Sequence, residues 1–420
     1  MQIQIPYAKT QLIADIPDSY TIDIVMPKDH PPADDPDAVV KYAVYHPIGN
    51  VKPPQKGQTV AIAINDKTRP VPHEYLLPPI LEGIRQAGIP DEDVVFVIAT
   101  GTHPVMPPSE YLWILPEDIF NRYRIVCHDA YNDASLTYLG DTSRGTPVYL
   151  NTDYIQADYK IVVGNIEPHQ FQGFSGGVKS AAIGVAGKKT INHNHAMMTD
   201  PNAKLGSYDA NPARQDVEEI GRMIGIDFAV NAILNSKKQI ITALAGDPVE
   251  IMKVAIPQVK DIYQVPVSAP YDLMIVSPGG YPKDINVYQS QKGLAHACLV
   301  MNEGGTVILC AACQEGTGSQ AYESWVTDEQ IHSHDDVFTR FEHEGFQVGP
   351  HKAFQVSRDA SRIHVMLISD MDADFVRKLL LHPLSDLQTA LNKALDNLPQ
   401  NARIGIMPFA NSTIPMLNNE

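Results

Sequence analysis

The 420-residue chain is expected to fold as two α/β domains built on mainly parallel sheets. Three observations lead there. Short, β-branched apolar runs at 60–64, 94–98 and 159–163 alternate with stretches of helical periodicity, the rhythm of a parallel sheet with helices outside it. The rhythm breaks once, at the proline-punctuated stretch 265–270, and restarts at 272–276. A chain of this length also suits two or three domains, each able to bury most of its unfolded-state surface. The boundaries so drawn are 1–268 for a first domain and 269–401 for a smaller second one. The tail, 402–420, is a candidate to return to the first, and an active site is expected in the cleft between the two.

Taken in order, residues 1–57 read as short amphiphilic strands followed by a Pro/Asp-rich connection at 27–37 that carries little core. The strand at 60–64 is followed by a helical pattern at 74–86, the strand at 94–98 by helical signals at 117–121, and a short strand ends before His128 and Asp129. After the strand at 159–163 come helices at 214–224 and from Pro248 to about Tyr263, where Asp247 and Pro248 take the N-cap and first-turn places. In the second domain, apolar runs at 306–309 and 364–368 alternate with helices; beyond it, in the tail, 403–407 reads as a last strand.

Composition narrows the function classes. A formal net charge of −17 argues against a general attraction to nucleic acid or anionic membranes, so an anionic substrate would need a local basic pocket. No run approaches eighteen apolar residues, and the N-terminus lacks a basic segment ahead of an apolar one. A cytoplasmic protein, neither exported nor membrane-inserted, is expected. Four cysteines, Cys127, Cys298, Cys310 and Cys313, are too few for a disulfide framework. The Cys310/Cys313 pair ends an apolar run and reads as buried small residues.

Chemistry gathers where strands end. Asp66, Lys67, Thr68 and Arg69 follow one strand, His103 the next, and the long run 165–198 the last. Ligands of open α/β sheets bind beyond the carboxyl ends of the strands, so these distant positions can converge on one crevice. The run holds Gly176 and Gly177 between a strand and a small-residue, helix-compatible stretch, a loop able to aim backbone N–H groups at an anion. From Gly173 its spacing approaches the P-loop, with Lys179 and Ser180 in the Lys and Ser/Thr places, but Val178 stands where glycine is required. An ATPase is therefore disfavoured. His193 and His195 would point about 200° apart on a helix and the same way on an extended segment, so at most one is taken as a metal ligand. Taken singly, Lys179 reads better as a solvated helix-start lysine, Arg69 as a partner of Asp66, and His103 as a turn cap.

His169, the sequence Ser175-Gly176-Gly177-Val178-Lys179, and His193-Asn194-His195, in this order, resemble the lactate racemase family. The resemblance extends over nearly the whole chain. It implies a racemase or epimerase of a 2-hydroxy acid that uses a nickel-pincer nucleotide attached covalently to Lys179, with His195 as the nickel ligand and Asp66, Ser175, Gly176 and Gly177 as cofactor-binding residues. It further implies His103 and His169 as the two acid–base histidines and Arg69 as the clamp on the substrate carboxylate. Tyr288, Gln289 and Lys292, in a Tyr-Gln-x-Gln-Lys segment at a helix start, become substrate-side residues of the second domain. Phe354 stands where the family often has Trp. Proteins that build and load the cofactor are the implied partners. Lactate, malate, phenyllactate and sugar acids all suit the same clamp. Two rival readings are a zinc hydrolase using His169, His193 and His195, and a non-catalytic carrier of the nickel cofactor.

Overall fold

The computed structural model describes residues 1–235, 237–396, 398–399 and 401–418. It divides into two units, Asp29–Ile262 and the combination of Met1–Lys28 with Tyr263–Glu420.

The unit Asp29–Ile262 is built on a six-stranded sheet in the order Ile240–Gly246, Phe228–Leu234, Tyr159–Asn165, Val60–Asn65, Val94–Ala99, Arg124–Cys127. Its strands are parallel except for the antiparallel edge pair Phe228–Leu234 and Ile240–Gly246. Strands covered on both faces read as unbroken apolar runs, which is why residues 60–64 are legible as a strand. The helix His73–Gln86 lays Leu76, Leu77, Ile80, Leu81 and Ile84 on one face of the sheet, in one core with Ile62, Ile64, Phe96 and Ile98. From Val60–Asn65 the chain runs outward through Val94–Ala99 and Arg124–Cys127, then returns to the other side as Tyr159–Asn165. The strand order thus reverses beside Val60–Asn65, and a crevice forms at such a reversal. The loops after these two central strands carry Asp66 to Arg69 and the run from Asn165 to Lys179.

The second unit has a fully parallel six-stranded sheet in the order His382–Leu384, His364–Ile368, Met301–Cys310, Tyr271–Val276, Arg403–Met407, Thr21–Ile24. This departs from the expected division at both ends. Residues 1–28 belong here: Thr21–Ile24 pairs with Arg403–Met407, and the hairpin Gln2–Tyr7/Thr10–Asp15 buries Ile3, Ile5 and Ala14 in the core formed by Leu273, Ile275, Ile308 and Ile406. The tail does not return to the first domain. Its strand Arg403–Met407 sits inside this sheet, and Ile414–Leu417 pairs with Gln264–Val267; residues 419 and 420 lie outside the described residues. Alternation of apolar and polar residues says that a strand needs a buried face, not which sheet supplies it.

Cys310 and Cys313 are free and buried at the end of Met301–Cys310. Burial pushes both thiols up, that of Cys313 to about 12, so they are protonated and poor nucleophiles at neutral pH.

Candidate functional site

The first cluster is held by the turn after Val60–Asn65. Asp66 is 2% exposed, and both of its oxygens are occupied: Oδ1 accepts from the Thr68 amide (3.0 Å) and hydroxyl (2.7 Å), and Oδ2 meets His103 Nδ1 at 2.7 Å. Burial pushes this carboxyl up, but the bonds from His103 and Thr68 outweigh that and hold it below the usual carboxylate range. An ionised Asp66 can only accept, so His103 carries its proton on Nδ1 and has its lone pair on Nε2. Asp66, expected at the cofactor, is also hydrogen-bonded to His103. Arg69 closes the same turn, its amide donating to Asp66 O at 3.0 Å, and its side chain is exposed.

The second cluster is the glycine loop, which is packed more tightly than an open phosphate cradle. Pro168–His169 pairs antiparallel with Gly173–Phe174, and the Ser175 hydroxyl lies within 3.0–3.1 Å of the carbonyls of Asn165 and Glu167. Two N–H groups of the loop are taken internally, Ser175 N by Glu167 O at 2.8 Å and Gly177 N by Asn231 Oδ1 at 2.8 Å. The glycines are required by conformation and crowding. Gly176 has φ +78°, and a Cβ there would lie 2.4 Å from Ile166 Cγ1; at Gly177, φ is +57° and a Cβ would lie 2.8 Å from Met252 Cγ. Behind the loop Arg214, wholly buried and paired with Glu218 at 2.6 Å, donates to Phe174 O at 2.9 Å and Gly176 O at 3.2 Å. It sits in the helix Pro212–Ile224, whose N-cap Asn211 accepts from the Arg214 amide.

Lys179 opens the short helix Lys179–Ala182 directly after this loop. Although the residue as a whole is only half-buried, its ammonium is surrounded by protein. Desolvation first, then the positive charges of Arg69 and Arg214, lower it to about 7 against the opposing effect of Glu167. The sequence placed Arg69 and Lys179 more than a hundred residues apart. The fold brings them close enough to feel each other's charge.

The third cluster joins two histidines through Phe171, whose ring packs edge-on against His169 (centroids 5.0 Å apart) and against His195 (4.9 Å). His169 Nδ1 accepts from the Gln172 amide at 3.2 Å, so the neutral ring carries its proton on Nε2. His195 lies in the helix Lys188–Ala196, and its Nδ1 meets Asn194 Oδ1 at 3.1 Å. His193, on the same helix, is exposed and turns instead to Thr146 Oγ1 at 2.8 Å. Residues two apart on a helix face different ways. Among the described residues no three His, Cys, Asp or Glu side chains gather to hold a metal. The histidine cluster required by a zinc hydrolase is therefore not formed.

In the other unit, Asn286 caps the helix Val287–Ala297, accepting from the Gln289 amide at 3.0 Å, and Lys292 Nζ donates to Gln289 Oε1 at 2.8 Å. The Tyr288 ring lies under Lys352 Nζ (4.7 Å) and edge-on to His351 (5.8 Å). Lys352, buried, also donates to Gln355 Oε1 at 2.9 Å; sequence reasoning missed it, because a lysine inside a helix looks like surface. Phe354 packs on Phe341 and Phe338, within the unit's aromatic packing. His128 is fully buried, with Nε2 at 2.9 Å from Ala186 O.

Comparison with known proteins shows the family of the chain. A family model described as the lactate racemase N-terminal domain matches residues 7–206, and one described as the lactate racemase C-terminal domain matches 267–414. The chain is 31% identical to a lactate racemase of Lactiplantibacillus plantarum, over 97% of each chain, and 29% identical to that of Thermoanaerobacterium thermosaccharolyticum, over 98% of each. Its fold superposes on the lactate racemase apoprotein of the latter organism with a TM-score of 0.90 at 28% identity, covering 99% of this chain and 100% of the other. A protein from Thermotoga maritima, at 18% identity and a TM-score of 0.67 over 94% of this chain and 100% of its own, shares the fold. Both halves of the sequence and the fold therefore lead to one conclusion: the chain belongs to the lactate racemase family and is an isomerase.

Proposed function

We propose that the protein inverts the hydroxyl-bearing carbon of a 2-hydroxy acid, lactate or a relative, with a nickel-pincer nucleotide attached at Lys179 and its nickel held by His195. The observation that carries this reading is the pair of histidines in one unit whose rings are each oriented through Nδ1, His103 by the Asp66 carboxylate and His169 by the Gln172 amide. Inversion by a two-base route needs one group ready to accept a proton and another ready to donate one.

The residues present fit the cofactor. A lysine lowered to about 7 is largely deprotonated just above neutral pH, as acylation requires. With no group of three metal-binding side chains among the described residues, a nickel ion at His195 would draw its other donors from the cofactor itself, which suits a pincer ligand. When bound, the group supplies a hydride acceptor, so the carbon becomes planar as a 2-keto acid and the substrate avoids a carbanion beside its carboxylate.

The chain's own residues do the rest. Arg69 holds the carboxylate through paired, charge-assisted hydrogen bonds. His103 Nε2 takes the hydroxyl proton, and Asp66 stabilises the imidazolium that results. His169 returns a proton to the carbonyl oxygen of the turned-over intermediate from its imidazolium form and is left neutral. Tyr288, Gln289 and Lys292 are the proposed substrate-side donors of the other unit. Proteins that build the cofactor are the proposed loading partners, and the cytoplasm is the proposed compartment.

The test is a panel of single-enantiomer 2-hydroxy acids, including lactate, malate, phenyllactate and sugar acids, given to protein produced together with the loading enzymes and followed by chiral analysis. Loaded protein that turns over none of them would support a carrier role instead. Bound zinc without an adduct on Lys179 would return the hydrolase.

A further inference from the structure

Behind His195 lies a buried polar relay that no part of the proposed reaction touches directly. Asp216, wholly buried in the helix Pro212–Ile224, accepts from Thr142 Oγ1 at 2.6 Å, Thr146 Oγ1 at 2.9 Å and Asn194 Nδ2 at 2.8 Å. Asn194, also wholly buried, donates from the same Nδ2 to Ala213 O at 2.9 Å, while its Oδ1 faces Gln172 Nε2 at 2.6 Å and His195 Nδ1 at 3.1 Å.

The carboxamide can stand only one way round. Flipped, Asn194 would set its oxygen against the Asp216 carboxylate and the Ala213 carbonyl, and its NH₂ against the Gln172 NH₂. Buried polar groups left facing like groups lose their hydrogen bonds without regaining water. Oδ1 is therefore fixed as an acceptor, and the neutral ring of His195 must place its proton on Nδ1. Gln172 connects this arrangement to the other histidine: its side chain donates to Asn194, and its backbone amide donates to His169 Nδ1.

We propose that Asn194 is a positioning residue that holds His195 in the Nδ1–H tautomer, and that Gln172 locks the same carboxamide while its backbone imposes the opposite tautomer on His169. One buried hydrogen-bonded unit then leaves one imidazole with its lone pair on Nε2, able to bind a metal, and the other with its N–H on Nε2, a hydrogen-bond donor. Ligand imidazoles are oriented in this way by the partner of their second nitrogen. The metal consequence rests on the function proposed above; the tautomers do not.

Long-range ¹H–¹⁵N spectra of the histidine rings separate the two tautomers directly, and they can be recorded on the full chain without cofactor at about pH 8, where ordinary imidazoles are neutral. The wild-type protein should show His195 as Nδ1–H and His169 as Nε2–H. In Asn194→Leu the His195 ring should move toward the Nε2–H form while His169 stays as it is. In Gln172→Met, which keeps the backbone amide, His169 should again be unchanged. Folding of each variant is read from the remaining amide spectrum. A wild-type His195 found as Nε2–H, or one whose tautomer is unmoved in folded Asn194→Leu, overturns the proposal. If Asn194→Leu does not fold, the wild-type spectrum and Gln172→Met decide, and a His169 tautomer that changes with the Gln172 side chain counts against it. In co-produced protein, Asn194→Leu should lower nickel retention by roughly 10–100-fold. Correct tautomers in a protein that never takes up nickel would leave the relay standing and sink the functional reading.

Discussion

The depressed basicity of Lys179 is open to direct measurement. An ordinary lysine at 10.5 is deprotonated in only a few parts in ten thousand at pH 7, whereas one at about 7 is half deprotonated, a difference of roughly a thousandfold in free amine. Trace acylation of the cofactor-free protein between pH 5 and 11, followed by peptide mass spectrometry, gives each lysine its own pH profile. The midpoint for Lys179 should fall near neutrality, with exposed Lys188 as the internal reference. Because burial is the largest cause and the Arg69 charge the next, Arg69→Gln should raise the Lys179 midpoint without restoring it to 10.5. The same group affects stability. Between about 7 and 10.5 the unfolded chain binds the proton that the folded chain has lost, so Lys179 makes stability rise with pH across that window. Its cost is complete below about pH 7 and gone above 10.5. Lys179→Met should therefore raise Tm most at or below neutral pH and progressively less toward pH 10. A Lys179 midpoint matching that of Lys188, or one lowered by Arg69→Gln, would refute the reasoning.

Other variants test separate parts of the site. In protein made with the loading enzymes, Lys179→Ala should abolish the peptide adduct, and His195→Ala should weaken nickel retention by roughly 10–100-fold on metal analysis; an adduct on Lys188 or Lys189 would show the attachment site to be misplaced. His103→Ala and His169→Ala should each cost roughly 10²–10⁴-fold in racemisation, yet each should still oxidise one enantiomer in a single turnover, with opposite preferences; identical residual behaviour toward both enantiomers would rule out the two-base assignment. Asp66→Asn should fall in kcat with little change in KM, because it disturbs the base and leaves the Arg69 clamp, and a pure KM effect would place Asp66 at the substrate instead. Gly176→Ala, forced to φ +78° with its Cβ 2.4 Å from Ile166 Cγ1, should lose roughly 2–4 kcal/mol in denaturant unfolding; a loss within about 0.5 kcal/mol, the range of a neutral surface change, would mean the loop adapts.

By itself the sequence determined the alternation of strands and helices, because strands covered on both faces must be apolar throughout and the helices beside them must be apolar on one side. It also determined that chemistry would collect at the carboxyl ends of those strands, where Asp66, His103 and the run from Asn165 to Lys179 stand in polar loops. What only the tertiary structure decided is where pieces without a strong pattern go and which polar atoms meet. Thr21–Ile24 and Arg403–Met407 joined the sheet of the second unit, and the hairpin its core, because an apolar strand face is buried by whichever sheet or core the fold brings to it. Asp66 reached His103 across 37 residues, Asn194 reached Asp216 and Gln172 across 22 each, and Arg214 reached the carbonyl of Gly176 across 38. A hydrogen bond depends on distance and direction between two atoms, and neither is written in the spacing of residues along a chain. The glycines were recognisable as a turn, but the reason each must be glycine lies in Ile166 and Met252, which occupy the space a side chain would need.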